Sequence, residues 1–323
     1  MSYKKISSQT SKNDDIRPNK LLGQNWLRDK NVLKKIIAAA NLTKSDTVLE
    51  IGPGEGILTQ ALAQSAGRVV AVEKDPALTA QLKIKFTNSK NVEIIEDDIL
   101  SFLRKQESRA WIPGQTRDDK SFFLIKYKVV ANIPYYLTSH LIRLLLESNN
   151  PPQDIILMIQ KEVAQRICAK PPKMSLLSAS VQFYAQPKII ASVSKNSFWP
   201  KPKVDSAIIQ ITPHSISHPE RSEGSRGSVA TRATDSLDSS PEFIPHSDAG
   251  AQNDKINNER FFRVLHAGFF HPRKQLLNNL SAGLKIPRDK INETLRAAGL
   301  KPNQRAETLS VADWIKITDL FFN

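Results

Sequence analysis

The sequence predicts an α/β protein in which a parallel sheet, covered by helices on both faces, is joined to a small C-terminal all-helical domain. Three observations carry this. Between residues 47 and 212, short apolar runs alternate with helix-spaced ones, the pattern of a sheet buried from both sides. The apolar runs end in glycines, acids or an amide instead of hairpin turns. Beyond residue 258 only helix-like segments follow.

In chain order, "TVLEIG" is a strand closing in glycines, and "ILTQALAQSA" a helix with Ile57, Leu58, Ala61 and Leu62 on one stripe. "RVVAVEKD" is a second strand, and "PALTAQLKIKF" a helix opened by proline in its first turn. "VEIIEDDIL" and "YKVVANIPYY" are further strands, with the helix "SHLIRLLLES" after the latter. "DIILMIQKEVAQRICA" starts as a strand and passes into a helix, and "SAIIQITP" is the last strand. "NERFFRVLHAGFF", "RKQLLNNLSAGL", "RDKINETLRAAGL" and "VADWIKITDLFF" read as the helices of the second domain. Residues 1–19 read as a flexible arm, 20–212 as the sheet domain and 258–323 as the helical domain. Residues 104–121 and 213–257 have too few large apolar residues to offset their ordering entropy, and are expected to be disordered insertions.

At 323 residues the chain is long enough for two domains. The lone cysteine, Cys168, excludes an internal disulfide and fits a reducing compartment. No apolar run is long enough to span a bilayer, and no apolar stretch follows the N-terminal lysines as a secretory signal requires. The expectation is a cytoplasmic protein without a membrane partner. A net charge of +14 favours a polyanionic partner, nucleic acid first.

"LEIGPGEG" sets Gly52, Gly54 and Gly56 at alternate positions after a strand, where a backbone free of Cβ atoms can turn sharply and approach a ligand. The dinucleotide pattern G-x-G-x-x-G fails at Ile57, which disfavours a nicotinamide oxidoreductase and suits a nucleoside without a diphosphate, such as S-adenosylmethionine. Glu73, at the end of the second strand, can accept both ribose hydroxyls. Asp97 and Asp98 end the third, where one of them can accept the adenine amine while Ile99 covers the ring.

The fourth strand ends in "NIPYY". An adenine amine is a weak nucleophile because its lone pair is delocalised. Two acceptors on its N–H bonds, the Asn132 side-chain oxygen and the Ile133 carbonyl, would draw the nitrogen towards tetrahedral geometry and aim that lone pair at a methyl group. Pro134 fixes the carbonyl's direction, and Tyr135 offers a face to an extruded base.

Together these motifs resemble the ribosomal RNA adenine N6,N6-dimethyltransferase family. The likeness rests on "LGQNWL", "VLEIGPGEGILT", "VEKD", "DDIL", "NIPYY", "QKEVAQR", "FWPKPKVDSAII", "RKQLLNNL" and "RAETLSVADW". Trp26 departs from it, standing where the family usually has phenylalanine. The resemblance implies a Rossmann-like S-adenosylmethionine-dependent methyltransferase sheet with a small C-terminal all-α domain that binds RNA. It implies that Asn25 and Leu27 cap the cofactor, that Gly52, Glu73, Asp98 and Asn132 complete its site, and that Phe198 is a second aromatic against the target adenine. The implied partner is 16S rRNA in a small-subunit precursor, modified at two adjacent adenosines of a hairpin loop; the protein is expected to act as a monomer without metal. The alternatives are the sister activity on 23S rRNA and a non-catalytic ribosome assembly factor.

Overall fold

The computed structural model describes Pro18 and residues 23–108, 126–214 and 248–322. Nearly all of the arm read over 1–19, and most of both insertions, lie outside the described residues. The chain divides into two compact units, Met1–Ala164 with Lys188–Thr212, and Gln165–Pro187 with Pro213–Asn323. Gln165–Pro187 thus groups with the C-terminal helices, whereas the sequence reading kept it with the sheet.

The first unit opens with β1 (Trp26–Leu27) and α1 (Lys30–Ala40). It continues through β2 (Thr47–Ile51), α2 (Ile57–Ser65), β3 (Arg68–Glu73), α3 (Pro76–Lys85), β4 (Val92–Glu96), α4 (Ile99–Ser108), β5 (Tyr127–Asn132), α5 (Thr138–Leu146) and β6 (Asp154–Gln160). After α6 (Lys161–Ile167) and α7 (Leu176–Tyr184) come β7 (Ala185–Val193), β8 (Phe198–Trp199) and β9 (Ser206–Pro213). Seven strands form one sheet in the order β4-β3-β2-β5-β6-β9-β7, and β1 pairs with β8 in a separate two-stranded ribbon. β4, β3, β2, β5 and β6 are parallel, and β9 runs antiparallel to β6. Strand order reverses between β2 and β5, the switch point where open α/β sheets hold ligands beyond their strand C-termini.

Register places the site. Ile51 lies level with Val72 on one side and Ala131 on the other. The next residue of each strand path, Gly52, Glu73 and Asn132, therefore arrives on one rim. Glu73 is level with Glu96, so Asp97 follows one step beyond. Val48, Leu49, Val69, Val129, Val130, Ile155 and Leu157 are wholly buried in this sheet, making it the rigid member on which the rim is set.

Local chemistry fixes the helix starts. Asp29 caps α1, its side chain accepting from the backbone N–H groups of Asn31 and Val32. Asp75 caps α3 ahead of Pro76 at its first turn, and Ser175 with Ser178 forms a capping box on α7. At the start of α2, Gly56 has φ of +75°, and a Cβ there would come within 2.7 Å of Leu82 and 2.9 Å of Phe86. No other residue lets α2 pack so near α3.

Two expectations on the insertions need correction. Residues 104–108 belong to the last turns of α4, and 248–257 to the first half of α8 (Asp248–Gly268). Extending an existing helix adds about one hydrogen bond per residue fixed, so a polar stretch can continue from a packed one without an apolar face of its own. α8, α9 (Leu276–Leu284), α10 (Arg288–Ala297) and α11 (Val311–Phe322) match the four helices read from the sequence. With α7 they enclose a core around Val264, Leu265, Leu280, Leu295, Ile317 and the fully buried Trp314. Buried Asn279 donates to the carbonyls of Gly268 (2.7 Å) and His271 (2.9 Å), satisfying the C-terminal end of α8. Among the described residues no helix is long and apolar enough to cross a membrane.

Candidate active site

One cavity lies on the rim of the first unit. Asn25, Leu27, Gly52, Glu73, Asp98, Asn132, Ile133, Pro134 and Tyr135 all line it. The structure brings together every site residue read from the sequence except Phe198. That ring is only 5% exposed and packs in the core beside Leu27, Val32 and Ile36, with Leu27 opposite it across the β1–β8 ribbon. Phe198 is therefore a core residue in this conformation.

Gly52 turns with φ of +66°, and a Cβ built on it would meet nothing within 4 Å. Packing does not require glycine there; the positive φ and the open space above it do. Glu73 is 6% exposed. Its Oε1 accepts from the N–H groups of Lys74 (2.9 Å) and Asp75 (3.0 Å), and its Oε2 from Gly54 (3.1 Å), which knots the turn after β2 to the end of β3. Burial raises its pKa against the lowering pull of those three bonds. Among the described residues these three bonds leave one lone-pair direction, on Oε2, without a donor.

Asp98 Oδ1 caps α4 through Leu100 (3.0 Å) and Ser101 (3.4 Å), and its Oδ2 pairs with Lys74 at 2.9 Å. Burial pushes its pKa up, but Lys74 and the two backbone bonds outweigh this and the net shift is downward. The carboxylate is held ionised. Its ion pair is exposed, of the kind worth little, so Lys74 can give way to another donor. Asp97 instead pairs with Lys105 at 2.9 Å and accepts from the N–H of Asp98.

Asn132 Nδ2 donates to the Asn25 carbonyl at 3.0 Å. A carbonyl can only accept, so this bond fixes the amide's sense and leaves Oδ1 as the face offered to a ligand. The Tyr135 hydroxyl meets Ser206 Oγ at 2.8 Å, which sets its half-buried ring, and burial raises the phenol's pKa. The neighbouring Tyr136 is 63% exposed.

Glu50, the next-to-last residue of β2, was given no role by the sequence. The structure buries it to 1% exposure on the cavity wall. Its carboxyl oxygens and the Thr59 hydroxyl make no hydrogen bonds among the described residues. Burial pushes its pKa up to about 8; Thr59 lies close enough to lower it, and the charge of Glu73 adds to the rise. An acid in an otherwise apolar strand was the available signal. Trp26 also lines the cavity, with its indole N–H buried and unpaired among the described residues.

A glycine turn with open space above it, a buried acid at the next strand end, an ionised acid at the third and an amide at the fourth suit a nucleoside that carries a cationic arm. Among the described residues the wall supplies acceptors for ribose and amine groups, and its one lysine, Lys74, is already paired with Asp98 instead of forming a basic cradle for a pyrophosphate. The fold and this donor set define a Rossmann-like, S-adenosylmethionine-dependent methyltransferase. Residues 16–224 match the family described as ribosomal RNA adenine dimethylase. The chain belongs to that family, whose members are rRNA adenine N6,N6-dimethyltransferases.

It is 38% identical over 302 residues to the ribosomal RNA small subunit methyltransferase A of Dehalococcoides mccartyi, spanning 94% of this chain and 88% of the relative. It is 37% identical over 313 residues to the protein of that name from Pelotomaculum thermopropionicum, spanning 95% and 92%. Among solved structures, a dimethyladenosine transferase from Plasmodium falciparum aligns with a TM-score of 0.65 at 23% identity, covering 90% of this chain and 95% of that one. The 23S rRNA methyltransferase ErmE aligns at 0.61 and 24%, covering 93% and 100%. At those identities the likeness speaks to the fold.

Proposed function

We propose that the protein transfers methyl groups from S-adenosylmethionine to N6 of two adjacent adenosines in a hairpin loop near the 3′ end of 16S rRNA, in a small-subunit precursor, and that it works as a cytoplasmic monomer without metal. The observation that carries this reading is the Asn132–Asn25 bond, which presents Asn132 Oδ1 as an acceptor on the rim beside the glycine turn. The small-subunit assignment is supported by relatives whose similarity runs through both units.

In this reading Glu73 holds the ribose, Asp98 the adenine amine, and Asn25 and Leu27 cap the cofactor over Gly52. When bound, the cofactor supplies an electrophilic methyl on a cationic sulfur. The protein's own part is positioning. Asn132 Oδ1 and the Ile133 carbonyl accept from the two N–H bonds of the target amine, Pro134 fixes the direction of that carbonyl, and Tyr135, anchored through Ser206, offers a face to the extruded base. The amine's acidity rises as it is alkylated, so its proton leaves to solvent without a dedicated base. Phe198 serves as second aromatic only if its ring leaves the core on substrate binding.

The test is primer extension across the small-subunit hairpin, in cells lacking the protein and again after complementation. The reading expects the two stops to vanish in the deletion and return with the wild-type chain. Stops that vanish on large-subunit rRNA instead would overturn it.

A further inference from the structure

Resting on that reading, we propose that Trp199 is a stacking platform for the base adjoining the target adenosine, with Lys201 and Lys203 taking phosphates of the same single strand. Trp199 is 48% exposed, which for an isolated surface tryptophan would need no explanation. This one is braced. It sits opposite Trp26 in the β1–β8 ribbon, their ring centroids 5.6 Å apart and tilted by 45°. The Arg28 guanidinium lies 5.9 Å from the Trp26 centroid and 5.6 Å from that of Trp199. Arg28 is itself steadied by Glu55 at 2.9 Å.

The arrangement is continuous with the catalytic rim, because Trp26 and Glu55 line the cavity from which Trp199 is one ring removed. Charge complementarity names the occupant. Exposed Lys201 and Lys203 follow Trp199 at alternate positions, and neither has an anionic partner among the described residues. An aromatic face beside successive cations fits unpaired nucleic acid, whose bases are free to stack, and not a duplex, whose base faces are hidden.

The test is a cycle between protein and RNA. Full-length protein is titrated with the small-subunit hairpin, and with the same hairpin carrying an abasic nucleotide beside the target adenosine. The platform predicts that Trp199→Ala weakens binding to the intact hairpin by about tenfold. It predicts that the abasic change weakens the wild type by a similar factor, and that the two losses do not add. Trp199→Phe should recover most of the affinity. Calorimetry with S-adenosylhomocysteine should be unchanged in Trp199→Ala, which also reports on folding. Lys201→Gln with Lys203→Gln should lower the salt slope by about 0.7 per lysine while preserving the abasic penalty. Additive losses, or wild-type affinity in Trp199→Ala, would overturn the platform. A Trp199-dependent abasic penalty on a hairpin whose adenosines the wild type leaves unmethylated would keep the platform and remove the proposed reaction.

Discussion

Replacing Asn132 by alanine separates the chemistry of the rim from its architecture. The side chain makes one hydrogen bond, to the Asn25 carbonyl, and is partly exposed at the end of β5. Losing such a bond costs about 0.5–1.5 kcal/mol, little against the buried sheet below. Alanine leaves no buried charge and overpacks nothing, so the protein should keep its circular dichroism and melt within a few degrees of wild type. Loss of one preorganised acceptor to the transition state costs on the order of a hundredfold in rate, or about 2.7 kcal/mol. Single-turnover methylation of unmodified small-subunit particles at saturating cofactor isolates that step. Saturation also removes any weakening of cofactor affinity that follows when Asn25 is released. A folded Asn132→Ala protein with wild-type turnover would refute the claim that this amide positions the amine, and the motif would then be only a strand end.

Other expectations follow from particular residues. Gly52→Ala and Gly56→Ala both force a side chain into positive φ, yet they should differ: the first projects into open space on the cavity and should weaken S-adenosylhomocysteine binding with modest loss of stability, whereas the second strikes Leu82 and Phe86 and should lower the melting temperature most, read by calorimetry and thermal denaturation. Glu50 keeps its proton to about pH 8 when folded but ionises near 4.5 when unfolded. Between those values the native state binds more protons, so its contribution to stability falls as pH rises, by up to about 1.4 kcal/mol per unit. Urea titrations should show a shallower decline from pH 5 to 8 in Glu50→Gln, and parallel curves would mean that the carboxyl is solvated. Neutralising exposed Arg273 and Lys274 should reduce the salt dependence of RNA binding by about one unit of slope for each phosphate left without its cation, and an unchanged slope would place the RNA surface elsewhere.

Much of the rim was legible because parallel strands bring their C-termini level. Gly52, Glu73 and Asn132 are far apart in sequence, yet each follows the last buried apolar residue of its strand, and that regularity shows without coordinates. The two-residue ribbon of Trp26–Leu27 with Phe198–Trp199 carries no periodicity to detect, and only the fold shows that one aromatic turns into the core while the next faces solvent. β7 was missed because Pro187 and a partly exposed pattern disguise an edge strand. The start of α8 was hidden at the end of a segment poor in large apolar residues, since helix propagation needs no signal of its own. Asp98 shows that a strand-end acid can cap a helix and still face a cavity, a double occupation that spacing alone does not reveal.

The bond between Asn25 and Asn132 joins residues 107 positions apart, and it does more than hold two loops together. A carboxamide has nearly the same outline when turned over, but its polarity reverses. With Nδ2 tethered, the terminus looks outward as an oxygen; released, it is free to rotate and show an NH2 group, which repels the very N–H bonds it would have to receive. The segment before β1 therefore acts as a polarity latch. In the proposed mechanism its docking sets the sign of the group that meets the target amine, so disturbing it should silence methyl transfer while every residue of the motif stays in place.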